Sequence, residues 1–199
     1  MKKNIPIKNK DGLSIKRGIA FGVGGFVIVE TLVAVALVLL AIPAALQMST
    51  KGIYLSTYSK NQMIATYLAQ EGIEYIRARR DYNRMLVLKD GVGAANWDDG
   101  FSGMADAVRI DPSRPSPIVN CSGCNIYSNP PNASYHLYIS SNGFYSHTSA
   151  GNTATPFYRG VFVVPSGTSE YVITSVVRWN AGFVSKTTTL NGYISNWYK

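Results

Sequence analysis

From Ile19 to Leu46 the chain carries a single charged side chain, Glu30, in an otherwise apolar run. As one helix this run would be about 42 Å long, against a bilayer hydrocarbon core of about 30 Å. A carboxylate near the centre of such a helix costs about 2.5–3.5 kcal/mol to insert, so it needs a partner and marks a functional position. The order of residues offers one. A cut between Gly25 and Phe26 would give Phe26 a free amine, with Glu30 one helical turn, about 6 Å, further along the axis. The shortened segment Phe26–Leu46 would span about 31 Å and fit the core without tilting.

Gly25-Phe26-Val27-Ile28-Val29-Glu30-Thr31-Leu32 resembles the N-terminal processing motif of type IV prepilins: glycine, phenylalanine, and glutamate fifth from the phenylalanine, between a basic leader and an apolar helix. The resemblance implies cleavage after Gly25 by an aspartyl prepilin peptidase and N-methylation of Phe26. It also implies assembly with other pilins or pseudopilins into a filament, where Glu30 offsets the amine of a neighbouring Phe26. The family usually places a basic residue beside the cleaved glycine, as at Lys16-Arg17-Gly18 here. A cut at Gly18 would put Val23 in fifth place, so Gly25 is the expected site. The residues between Gly18 and that cut set the bond deeper in the membrane and predict slow or partial processing.

The formal charge of +8 is concentrated at the start of the chain. Lys2, Lys3, Lys8, Lys10, Lys16 and Arg17 face only Asp11 in residues 1–25, which leaves 13 basic and 10 acidic residues after the cut. A balance that small does not argue for nucleic acid as a partner. The basic flank instead predicts a cytoplasmic N-terminus and an exported C-terminal part, with Lys51 and Lys60 the nearest cations on the other side. The expected location is the inner or cytoplasmic membrane as a single pass, and then a periplasmic or cell-surface filament. No small-x-small site follows a short apolar region, so a cleaved secretory signal is not expected.

Helical periodicity continues past the membrane segment. Ile53, Thr57, Ile64, Leu68 and Tyr75 share about a third of a helical wheel, with Ala65, Ala69 and Gly72 beside them. The first turn signal is Asp81-Tyr82-Asn83, so helix is expected from Phe26 to about Arg80, about 80 Å. Pro43 removes the bond to the Leu39 carbonyl and predicts a kink, and Gly52 is a second weak point. Type IV pilins often carry a helix breaker in this region, and the resemblance implies local melting there on assembly. Tyr67-Leu68-Ala69-Gln70-Glu71-Gly72-Ile73-Glu74 resembles a segment common in shorter pseudopilins and minor pilins. Glu71 reads first as a solvated edge carboxylate, with partial burial and pairing as the alternative. Arg77, Arg79, Arg80 and Arg84 complement the negative end of the helix dipole.

Residues 82–133 read as a variable connection rich in Gly and Pro. Within it Cys121-Ser122-Gly123-Cys124 leaves three readings: a disulfide closing a tight loop after export, part of a metal site with His136 or His147, or a redox dithiol. The following Ser128-Asn129-Pro130-Pro131-Asn132 is unlike the helix that opens after a redox dithiol, and a structural staple is the expected outcome. Asp98-Asp99 lies on a Gly-rich loop of the kind that can hold Ca²⁺, but without further spaced acids a Ca²⁺ site is not expected there.

From Ser134 the period changes to two. Tyr135–Ser140, Phe144–His147, Phe157–Val164, Glu170–Trp179, Phe183–Leu190 and Tyr193–Trp197 read as strands of an antiparallel meander. No nucleophile triad, phosphate loop or dinucleotide fingerprint appears, so neither enzymatic activity nor a cofactor is expected. The sequence therefore predicts an α+β chain: leader 1–25, transmembrane and assembly helix 26–46, amphipathic helix 47–81, connection 82–133, and sheet 134–199. Expected partners are a prepilin peptidase, other pilins or pseudopilins, and the inner membrane. Two alternatives stay open: an exported, membrane-anchored binding domain that never polymerises, and an exported redox or metal enzyme using Cys121 and Cys124.

Overall fold

The computed structural model describes residues 23–91, 93, 95–104, 107–112, 117–181 and 184–197. By its internal contacts the chain divides into two units, Met1–Gly52 and Ile53–Lys199. One helix, α1 (Val23–Asp90), contributes to both and contains Pro43 without ending there. Its N-terminal part is long and apolar enough to cross a membrane. Helix ends need turn chemistry or tertiary contacts that stop them, and Asp81-Tyr82-Asn83 supplies neither. Asn83 is buried, and its Nδ2 donates to the carbonyls of Trp97 and Asp99 at 3.2 and 2.9 Å. It binds the following loop to the helix, so α1 continues to Asp90, ten residues beyond the expected end at Arg80.

The second unit packs the later half of α1 on a seven-stranded antiparallel sheet, among the described residues. The strands are β1 (Val108–Ile110), β2 (Ile118–Asn120), β3 (His136–Ile139), β4 (Tyr145–Ser146), β5 (Thr153–Pro165), β6 (Glu170–Ala181) and β7 (Val184–Ser195). β5, β6 and β7 form the expected meander, in register from Phe157↔Trp179 to Pro165↔Tyr171 and from Glu170↔Ser195 to Ala181↔Val184. The two C-terminal strands expected from the sequence are one: β7 runs straight through Asn191-Gly192. The other edge of β5 takes β3, with a register shift between His136 and Tyr138, and then β1 at Val108↔Val161. β1 and β2 fall in the stretch read from sequence as connection. At three residues each, they are too short to show a period of two.

Alternation along β5 and β6 gives the sheet two different faces. Ala65, Leu68, Ala69, Ile73 and Ile76 of α1 meet Phe157, Val161, Val163, Ile173, Val177 and Trp179. Gly72 lies in this contact because nothing larger fits. A Cβ there would stand 2.7 Å from Ser175 Oγ and 2.9 Å from Val161 Cγ2. On the opposite face Ala107, Cys121, Ile126 and Tyr135 cover Val176. Arg178 fixes that covering loop: its Nη1 donates to the Ile126 and Ser128 carbonyls at 2.8 and 2.7 Å.

The sheet takes a mixed row of α1 in which Ala65, Ala69 and Gly72 alternate with Leu68, Ile73 and Ile76. Of the row read from the sequence, Ile53 and Thr57 are exposed, Ile64 and Tyr75 are half-buried and packed against the core, and Leu68 is fully covered. Small residues allow the helix axis closer to the strands, which buries more of each neighbour than a row of Ile and Tyr would.

Candidate functional site

Residues 27–57 of α1 are all exposed, including Val27, Leu32, Leu40 and Leu46. Burial on the sheet begins only near Ala65. Within the first unit Glu30 sits in helical backbone on this uncovered apolar stretch, with Thr31 bonding back to the Ile28 carbonyl at 2.9 Å. Gly25 and Phe26 belong to α1, but their side chains lie outside the described residues, as does the leader up to residue 22. Pro43 falls in the same exposed stretch. Among its described residues the first unit presents a helix of lipid-like surface with one carboxylate on it.

In the second unit Glu71 is paired. Its Oε2 accepts from Arg159 Nη1 at 2.6 Å, and that guanidinium is 0% exposed while the Glu71 side chain is 35% exposed. The solvated-edge reading of Glu71 is thereby overturned. Arg159 also donates to the Leu68 carbonyl at 3.2 Å and the Ile110 carbonyl at 2.9 Å, so one cation in mid-sheet ties together α1, β5 and β1. A charge can remain buried only with such a partner set. Sequence reading passed over Arg159 because an arginine within Phe157-Tyr158-Arg159-Gly160-Val161 looks like an outward-facing residue. Its parity with the buried Phe157 and Val161 was the available signal.

His147 lies near this pair. Its Nδ1 donates to the His136 carbonyl at 3.1 Å. Burial, and then the nearby Arg159 cation, hold its pKa down at about 3. His136 is engaged elsewhere, with its Nε2 2.6 Å from the Thr155 carbonyl and its ring stacked on Tyr158. The two histidines do not approach the cysteines as ligands. Cys121 and Cys124 are joined as a disulfide, Cα atoms 5.5 Å apart, with the Cys124 N–H donating to the Cys121 carbonyl at 3.1 Å. Asp98 and Asp99 are likewise structural: Asp98 Oδ2 accepts from the Tyr171 hydroxyl, and Asp99 Oδ2 from the Asn96 N–H. Among the described residues no three His, Cys, Asp or Glu side chains converge as a metal site.

The arginines near the end of α1 are also engaged. Arg77 pairs with Glu74 and Arg80 with Asp81, while Arg79 donates to the Asp99 carbonyl and lies over the Tyr82 ring. Along the uncovered flank of α1 runs a series of open clefts. One, of about 350 Å³, lies between Ile64, Tyr67, Leu68 and Glu71 and the β4 residue Tyr145. Another, of about 420 Å³, lies between Tyr75 and the β3–β4 hairpin with its exposed Phe144.

A long apolar N-terminal helix whose later half packs on an antiparallel sheet is a pilin-like architecture. Compared with protein-family models, curated proteins and solved structures, the chain matches none of them.

Proposed function

We propose that the chain is a prepilin-type subunit, cleaved after Gly25, methylated on Phe26, and assembled with other pilins or pseudopilins into a filament at the cell envelope. The observation that carries this reading is the uncovered stretch of α1 from Val27 to Leu46, whose one charged side chain is Glu30. A helix of that composition requires lipid before assembly and neighbouring apolar helices after it, in place of water. In either surrounding the Glu30 carboxylate requires an opposite charge to offset its desolvation. A methylated amine on Phe26 of a neighbouring copy remains cationic and supplies that charge. The α+β head then serves as the exposed, exported part of the subunit.

The test is intact mass spectrometry of the chain extracted from membranes that also contain a prepilin peptidase. The expected product has lost residues 1–25 and gained one methyl group. Glu30→Ala and Glu30→Gln should be processed like wild type, with heads that unfold like wild type, yet be recruited poorly to filaments. Loss of a different length, no loss, or normal recruitment of both variants would replace this reading with that of a simple membrane anchor.

A further inference from the structure

Within the second unit, β7 runs beside α1 in the same direction. Lys186 Nζ lies 5.7 Å from the centre of the Tyr58 ring, and Gln62 Nε2 donates to Thr188 Oγ1 at 2.9 Å. Further along, Ile73 packs against Gly192, where a Cβ would stand 2.9 Å from Ile73 Cγ2. The end of β6 and the start of β7 therefore lie beside the first turns of the unit. Tyr54, Tyr58 and Trp179 form a row of rings there, with centres 6.5 and 6.3 Å apart. Trp179 is buried, but Tyr54, Leu55 and Val184 are 51, 58 and 54% exposed. Residues 53–70 and 171–199 contain no Asp or Glu, so every charged side chain in those stretches is a cation. The Lys186 ammonium faces a ring and, among the described residues, no carboxylate.

We propose that this end of the head is a lipid-contact site that rests on the surface of an anionic phospholipid bilayer. Lipid phosphate oxygens accept from the Lys186 ammonium, while Tyr54, Leu55 and Val184 sit against the headgroups, the level at which tyrosine rings are favoured. The chain itself brings the bilayer within reach. Only residues 47–52 separate Ile53 from the apolar segment ending at Leu46, and seven helical steps are about 10 Å. The headgroup layer extends about 5–8 Å beyond the hydrocarbon, and charges act through a further screening length of about 8 Å. One cation at an anionic surface shifts the docked population by about five-fold, so the contact is reversible. It rests on the membrane-inserted helix of the reading above, and on neither cleavage nor assembly.

The test places the full-length chain in vesicles of phosphatidylcholine, alone or with about one-third phosphatidylglycerol, carrying spin-labelled headgroups as quenchers. A fluorophore is attached at Val184→Cys or, as a control at the opposite end of the sheet, at Thr168→Cys, about 35 Å away along β7. Cys121 and Cys124, being a disulfide, do not react. Quenching at position 184 should be about five-fold stronger with the anionic lipid than without it, and should fall in about 0.5 M salt. Lys186→Glu should abolish that gain and Lys186→Arg should keep it. Tyr54→Ser, which leaves the core intact, should weaken it while the head unfolds like wild type. Equal quenching at 184 and 168 overturns the proposal. So does quenching at 184 that ignores lipid charge, salt and Lys186→Glu, because the tether alone then accounts for it. The measurement needs no peptidase and no filament, so its failure leaves the processing and recruitment tests standing, and theirs leaves the lipid contact standing.

Discussion

Replacing Glu71 with alanine removes the carboxylate paired with the fully buried Arg159 guanidinium. The Arg159 guanidinium would keep the Leu68 and Ile110 carbonyls as acceptors but lose the carboxylate at 2.6 Å. Breaking a buried pair from one side typically costs about 3–5 kcal/mol, because the remaining charge stays desolvated. Here the Glu71 side chain is 35% exposed, so water reaches the vacated position and screens part of the loss. The expected cost is about 2–3 kcal/mol, a large share of the roughly 5–15 kcal/mol available to a domain. For a head of this size that lowers the melting temperature by about 5–10 °C. Glu71→Gln should cost less, since its amide oxygen still accepts the hydrogen bond. The assay is thermal and urea unfolding of the full chain in detergent, followed by the near-ultraviolet signal of Trp97 and Trp179, both packed in the head. A change below about 0.5 kcal/mol for Glu71→Ala would place this pair with ordinary surface ion pairs and refute the argument.

Gly72→Ala gains about 1 kcal/mol of helix propensity but forces a methyl group against Ser175 Oγ and Val161 Cγ2, an overpacking cost of about 1–3 kcal/mol. The same unfolding assay should show a net loss, and a stabilised variant would contradict the close helix–sheet contact. His147 binds its proton at an ordinary pH of about 6.5 when unfolded but only near pH 3 when folded. Its contribution to stability is therefore complete above pH 6.5 and declines as the pH falls towards 3, with a slope of up to about 1.4 kcal/mol per pH unit. His147→Leu should flatten this decline, and an unchanged pH profile would contradict the assignment of a buried neutral imidazole. Replacing Cys121 and Cys124 with Ser opens only a four-residue loop, so the cost should stay near 2 kcal/mol or below. Recruitment to filaments should be nearly unchanged, and a lost redox activity would overturn the structural role of the disulfide.

The sequence made legible whatever rests on a repeated local pattern. The apolar run around Glu30 is long enough that no alternative to a helix exists for it. The strands from Phe157 onward alternate over enough residues to fix their faces. Elements without a period were hidden: β1 and β2 show none, and the continuation of α1 past Asp81 depends on Asn83 bonding to carbonyls 14 and 16 residues away. The Arg159–Glu71 pair joins positions 88 residues apart, and only the parity of Arg159 with its buried neighbours hinted at it.

The stripe on α1 teaches something different, because only part of it serves the sheet: Leu68 with Ala65, Ala69 and Gly72 is covered, Ile64 and Tyr75 pack half-buried against the core, and Ile53 and Thr57 are exposed. A helix that must satisfy two partners carries two faces, and the larger side chains need not point at its own domain. The sheet accepted Ala65, Ala69 and Gly72, where close approach compensates for little side-chain area. Ile53 and Tyr67 were left exposed, with Ile64 and Tyr75 half-buried against the core. Apolar side chains kept exposed at helical spacing, beside open clefts, are costly in a chain that acts alone. In the proposed filament, neighbouring subunits would cover part of that exposed surface and remove the cost.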